Sequence, residues 1–181
     1  MKNIPLVLLC FLVAGFAFSQ KILTKQGEIK FEASMPAFEE VAAKAKTASC
    51  IFDQASGEFA ALVLIKSFKF KAPLMEEHFN ENYMESTKYP KATFKGKITG
   101  FDAKKLSATK TSYFLEGDLT IHGITKKIKT KINLASVDGK VLASSDFKVL
   151  LDDYKIVVPS LMKEKIAKDV KISLNFNLEP K

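Results

Sequence analysis

The sequence predicts a mainly β domain in which about eight antiparallel strands close into a barrel, and three observations carry that prediction. Segments of alternating apolar and polar residues recur along the chain, separated by turn residues at spacings that suit short strands. Residues 117–134 read as two such arms around a tight turn: Leu119 and Ile121 share one face of the first arm, and Ile128, Thr130, Ile132 and Leu134 share one face of the second. Most of the strands are apolar on one side only, and closing them into a barrel removes their exposed edges.

The elements follow in chain order. Ile29 and Phe31 alternate with Glu28, Lys30 and Glu32 in a first strand. A second, near 48–52, ends on Asp53-Gln54-Ala55-Ser56-Gly57, whose Asp, Ser and Gly are turn formers. Residues 58–70 are nearly all apolar as far as Ile65 and then alternate, which reads as one long strand buried on both sides in its first half. Pro73 opens a helical segment near 73–86, with Glu76 and Glu77 at the positive end of its dipole. Met75, Phe79 and Tyr83 recur at every fourth position with Leu74 and His78 beside them, so that face is expected to meet the barrel. Glu76, Glu77, Asn80 and Glu81 are expected to face water.

Further strands are expected at 92–101, with Phe94 and Ile98 on one face, then at 112–121, 128–137 and, after the Asp138-Gly139 turn, 141–150. In the last strand Val170, Ile172, Leu174, Phe176 and Leu178 alternate strictly with polar residues. The stretch 154–158 leaves room for one more short strand, and 160–168 for a short helix. An eight-stranded barrel has an interior that side chains just fill, or that holds one ligand if some positions are left open. A sandwich with a filled core fits the same periodicity.

Residues 1–19 read as a cleavable signal peptide. Lys2 precedes an apolar run over 4–16, and Ala17-Phe18-Ser19-Gln20 places small residues three and one positions before a cut after Ser19. The run is shorter than the roughly 20 apolar residues of a membrane-spanning helix. Leu9 stands before Cys10 where a lipid-attachment signal needs a small residue. The expectation is a single domain, 20–181, in the periplasm or secreted. Cleavage removes Cys10, so no internal disulfide is expected, and Cys50 is expected to be a small buried apolar residue.

All 28 basic residues are lysine, and the formal net charge of +8 falls to +7 when Lys2 is removed. Specific nucleic-acid readers depend on the bidentate guanidinium of Arg, so nucleic acid is not an expected partner. The lysines alternate with apolar residues, as in Phe94-Lys95-Gly96-Lys97-Ile98, which places them on outer faces where they confer solubility and protect edges. The positive field also leaves room for peripheral contact with an anionic membrane surface.

Three segments together carry a resemblance to a known family. They are the helical stretch from Lys71 to Ser86 containing His78-Phe79, the strand Lys88-Tyr89-Pro90-Lys91-Ala92-Thr93-Phe94-Lys95-Gly96, and the hairpin Gly117-Asp118-Leu119-Thr120-Ile121-His122-Gly123-Ile124-Thr125-Lys126. In order and spacing they resemble the YceI-like family across nearly the whole mature chain. The resemblance implies a lipocalin-like barrel with a long apolar tunnel that binds an amphiphilic lipid or a polyprenyl- or quinone-type ligand. It brings no catalytic residues. The sequence departs from many members at Ser144, where an Arg often precedes the Ser145-Asp146 pair, and at Lys148, so a cationic contact for a ligand head group is missing.

Catalytic and metal patterns are absent from the sequence. His78 and His122 are the two histidines, neither beside a nucleophile elbow, and no His-x-x-x-His or Cys-x-x-Cys pair occurs. No Gly-rich phosphate loop opens a helix, and no cofactor or metal is expected. His122 is expected to serve its turn. His78 is a candidate contact for a ligand head. The candidate ligand-binding residues are Phe31, Phe59, Phe68, Phe70, Met75, His78, Phe79, Tyr83, Phe94, Ile98, Leu119, Ile121, Phe147, Leu174 and Phe176. The leading expectation is an exported carrier, monomeric or weakly dimeric, holding an isoprenoid-like or fatty amphiphile. The alternatives are an envelope interaction module with a filled core, or a lipid-acting enzyme using His78 with Glu77 or Glu81.

Overall fold

The computed structural model describes residues 21–35 and 38–180, so the signal peptide read from 1–19 lies outside the described residues. The strands are β1 (Lys21–Ser34), β2 (Ala42–Asp53), β3 (Glu58–Leu64), β4 (Lys69–Phe70), β5 (Lys91–Thr99), β6 (Thr111–Ile121), β7 (Ile124–Val137), β8 (Lys140–Leu150) and β9 (Ile166–Pro180). One short helix, α1 (Pro73–His78), lies between β4 and β5 and continues as a π-helical turn over Phe79–Tyr83. The hydrogen-bonded order is β1-β9-β8-β7-β6-β5-β3-β2, and β1 also pairs with β2. Eight antiparallel strands therefore close on themselves, and the two-residue β4 adds to β2 through Ala43↔Phe70. Closure rules out the open sandwich.

Alternation assigns each strand an inner and an outer face. On the outer face of β5, β6 and β7, Lys95 stands opposite Asp118 and Lys97 opposite Glu116, and these acids in turn oppose Lys127 and Lys129. Lys129 Nζ reaches Glu116 Oε1 at 2.5 Å. Cross-strand pairs of this kind contribute roughly 0.2–1 kcal/mol each relative to Ala–Ala. They also fix register, because a one-residue slip would turn lysines into the lumen.

The chain direction defines two ends. At one, here called the mouth, lie the β1–β2 connection, the segment 65–90 carrying α1, the His122-Gly123 hairpin and the loop 151–165. At the other, the base, lie the turns at 54–57 and Asp138-Gly139 and the loop 100–110. The base is packed solid: Phe52, Ala48, Ile132, Leu134 and Leu178 have no exposed surface, and Phe101 closes on Phe52 with ring centroids 5.0 Å apart.

Five local expectations are corrected. The strand predicted over 58–70 breaks at a 3-10 turn, Ile65–Ser67, where Ser67 Oγ donates to the Leu64 carbonyl at 2.6 Å. Alternation continues through the break because Phe68 and Phe70 still point inward, so periodicity does not reveal it. Nor is the first half of 58–70 buried on both sides, since Leu64 is exposed. The helix predicted over 73–86 ends by Tyr83, and the short helix allowed near 160–168 is one 3-10 turn, Ser160–Met162. There, β9 starts at Ile166, whose pairing with Ser34 of β1 outweighs helix propensity. No strand forms at 154–158; Lys155 turns the chain with a left-handed φ of 52° and lets Tyr154 and Ile156 point into the core.

Cys50 is buried in the base, and that burial pushes its thiol pKa well up from the ordinary value. Its thiol is therefore expected to resist maleimide in the native protein and to react readily in denaturant. A native labelling rate close to the unfolded one would contradict the packed base.

Candidate functional site

The mouth half of the barrel is hollow. A cavity of about 240 Å³ runs from α1 and the loop 151–165 down to the rings of Phe59, Phe94 and Phe176. Its lining includes no charged side chain; His78, Tyr83, Thr93 and Thr130 are the polar-bearing residues among Ile, Leu, Val, Ala, Met and Phe. Burial pushes the Tyr83 phenol up from its usual pKa.

Two aromatic groups bound the space. At the mouth, Phe79 inserts among three barrel rings: it stacks on Phe31 at 5.1 Å and meets Phe70 at 5.1 Å and Phe68 at 5.9 Å. These contacts hold the lid segment to β1 and β4, and aromatic pairs of this geometry are worth roughly 0.5–1.5 kcal/mol each beyond burial. At the floor, Phe59 meets Phe94 at 6.3 Å and Phe176 at 6.1 Å. Glycine makes this floor possible. A Cβ on Gly27 would stand 2.1 Å from the Phe176 ring, and Cβ atoms on the paired Gly96 and Gly117 would stand 2.6 and 2.8 Å from the tip of Phe94.

The start of the lid is fixed by Glu76. Its Oε1 receives Lys69 Nζ at 2.5 Å and its Oε2 receives the Phe70 amide at 3.3 Å. Lys69, then the Phe70 N–H, hold this carboxyl below the usual carboxylate range. Glu76 therefore does not simply face water as expected. Nor does Asn80, whose Nδ2 donates to the Glu76 carbonyl at 2.8 Å while Oδ1 is buried without a hydrogen-bond partner. Leu74, expected on the barrel side, points away and is 60% exposed.

His122 does more than serve its turn. With φ of 50° followed by Gly123 at 73°, the pair has the two left-handed residues of a tight hairpin, and a Cβ at 123 would strike the Tyr89 ring at 2.5 Å. The imidazole then joins three mouth segments: Nδ1 lies 3.0 Å from the Tyr154 carbonyl, Nε2 lies 2.8 Å from Glu85 Oε2, and Tyr89 packs edge-on at 4.5 Å. Sequence reasoning missed this brace because its partners are distant along the chain.

Of the candidate ligand-binding residues, the structure brings Phe31, Phe59, Phe68, Phe70, Met75, His78, Phe79, Tyr83, Phe94, Leu119, Ile121, Phe147, Leu174 and Phe176 to the cavity wall. Ile98 is not among them. It shares the inner face of β5 with Phe94 but lies below the floor, 2% exposed in the packed base. Leu115, Ile128, Val149 and Ile172 also line the cavity, and their alternation was a usable signal. Leu151, Ile156 and Met162 join from the loop 151–165, which has no periodicity to read. Ser144 lies on the outer face of β8, because its neighbours Ala143 and Ser145 are the inward ones, so a cation at that position would not face the cavity. His78 sits exposed at the rim with no hydrogen bond or ion pair to Glu77 or Glu81, and no cluster of metal-ligating residues occurs among the described residues.

A closed antiparallel barrel, hollow at one end and lined by apolar side chains, is the architecture of small-ligand-binding barrels. The family model of the YceI-like domain matches residues 20–178, and the chain belongs to that family. Among solved structures, a polyisoprenoid-binding domain from Saccharophagus degradans implicated in plant cell wall breakdown superposes with a TM-score of 0.77 at 14% identity, covering 90% of this chain and 99% of that one. BcnA of Burkholderia cenocepacia gives 0.68 at 16% identity, covering 84% and 95%. The YCEI protein of Campylobacter jejuni gives 0.60 at 20% identity, covering 79% and 88%. No curated protein matches the sequence.

Replacing His122 with Ala is expected to lower unfolding stability by about 1–2 kcal/mol in urea titrations, since two mouth segments lose a shared partner. An unchanged midpoint would remove the brace. Because the Glu76 carboxyl is held low in the folded protein, its contribution is present above the carboxylate range and is lost as the pH falls through its lowered value. Glu76→Gln is therefore expected to cost under about 1 kcal/mol at neutral pH, discounted for the exposed Lys69 partner, and nothing in acid. A pH-independent difference would contradict the pairing.

Proposed function

We propose that this protein is an exported carrier that holds a polyprenyl, quinone-tail or fatty amphiphile in its barrel, in the periplasm or secreted space, as a monomer or weak dimer. The observation that carries this reading is the cavity itself: about 240 Å³ of space whose lining has no charged side chain and reaches exposed His78 at the mouth. Leaving such a space costs packing energy that a filled core would recover. A ligand tail recovers it instead, since each buried CH₂ contributes about 0.8 kcal/mol. The polar tips of His78 and Tyr83 suit a ligand head group at the rim.

The relatedness to a polyisoprenoid-binding domain supports the same ligand chemistry. The mouth also suits peripheral contact with a membrane surface, where such ligands reside: Val157 and Leu161 of the loop 151–165 are 75% and 89% exposed, with Lys155, Lys163 and Lys165 around them. An interaction module with a filled core is disfavoured by the hollow. An acid–base pair built on His78 is disfavoured by its lack of an orienting partner.

Protein purified from its own host and extracted with organic solvent is expected to release a stoichiometric prenyl or fatty amphiphile detectable by mass spectrometry. Protein that is consistently empty and takes up neither prenols nor fatty acids would overturn the proposal.

A further inference from the structure

The cavity has a definite bottom, and its position along the barrel limits ligand length. We propose that Phe94, laid across the Gly96–Gly117 pair and backed by Phe59 and Phe176, is the specificity-determining stop that limits the bound chain to about ten carbons. This rests on the carrier reading and adds to it which amphiphiles fit best.

Three features place the stop. All three floor rings line the cavity, and Phe94 is the least completely buried of them, 8% exposed against 2% for Phe59 and 1% for Phe176. Its tip occupies the space that Cβ atoms on Gly96 and Gly117 would take, so the ring lies across the wall instead of standing beside a side chain. Beneath it, Ile98, Phe52 and Ile132 are packed with almost no exposed surface and none lines the cavity, so a ligand passing Phe94 meets a filled core.

The volume of the cavity sets the limit. By volume, a dry cavity of about 150 Å³ accepts the six carbons of benzene, and scaling to about 240 Å³ gives about ten. A longer prenyl or acyl chain would bind by its terminal segment, with the remainder outside the mouth.

The test is a titration of delipidated protein with straight-chain fatty acids from octanoate to octadecanoate, and with geraniol, farnesol and geranylgeraniol, by calorimetry or probe displacement. Affinity is expected to rise about fourfold per methylene and to level off near decanoate. In Phe94→Ala the ratio of hexadecanoate to octanoate affinity is expected to rise about tenfold. If the alanine variant does not fold, Phe94→Leu carries the same comparison, and the wild-type plateau stands on its own. Wild-type affinity that keeps rising through octadecanoate overturns the stop, as does a plateau unmoved in a folded Phe94 variant. Failure of every chain to bind overturns the carrier reading itself, which separates the two.

Discussion

Everything in this molecule depends on the closing pair β1–β2. Six other strands pair in sequence from β9 round to β3, but only when β1 bonds to both β9 and β2 does the sheet lose its edges and gain an inside. Closure converts a local property, side chains alternating between two faces, into a global one: every inward residue of eight strands shares a single lumen. The outer charge ladder of β5, β6 and β7 then acts as a register lock, because inward lysines would meet neither water nor a partner.

An eight-stranded lumen is narrow enough for side chains to fill, so a hollow reflects the choice of residues. At the base, Phe52, Phe101, Ile98, Ile132 and Leu178 fill it. Above them the inward positions of β3, β5, β6 and β7 offer Ala61, Ala92, Leu119 and Ile128, which do not reach across. The aromatic rings stand at the boundaries. Phe59, Phe94 and Phe176 make a floor seated on glycines, and Phe31, Phe68, Phe70 and Phe79 secure a lid. His122 and Glu76 brace that lid by polar contacts at the rim, away from the apolar wall.

Much of the fold was legible in the sequence because strand alternation is local and closure repeats it eight times. The inward residues of β5, β6, β8 and β9 follow from period two alone, and most of the candidate site follows from them. What stayed hidden depends on position along the barrel axis or on contacts between distant segments. Ile98 and Phe94 share a face and a strand, yet one lies below the floor and the other forms it. Phe68 and Phe70 continue an alternation across a break in the strand. Leu74 and Met75 are adjacent on a helix whose short length leaves one exposed. His122 looks like a turn residue until Glu85 and the Tyr154 carbonyl arrive from elsewhere in the chain.

On the carrier reading, the space above Phe94 is a binding site and not a packing defect. A crystal structure of the protein grown with farnesol tests it most directly. Continuous density is expected for the chain between the floor ring of Phe94 and the side chains of Met75 and Met162, with the hydroxyl at the rim near His78 and Tyr83. A lumen collapsed onto its own side chains, or farnesol bound only on the outer wall, would contradict it.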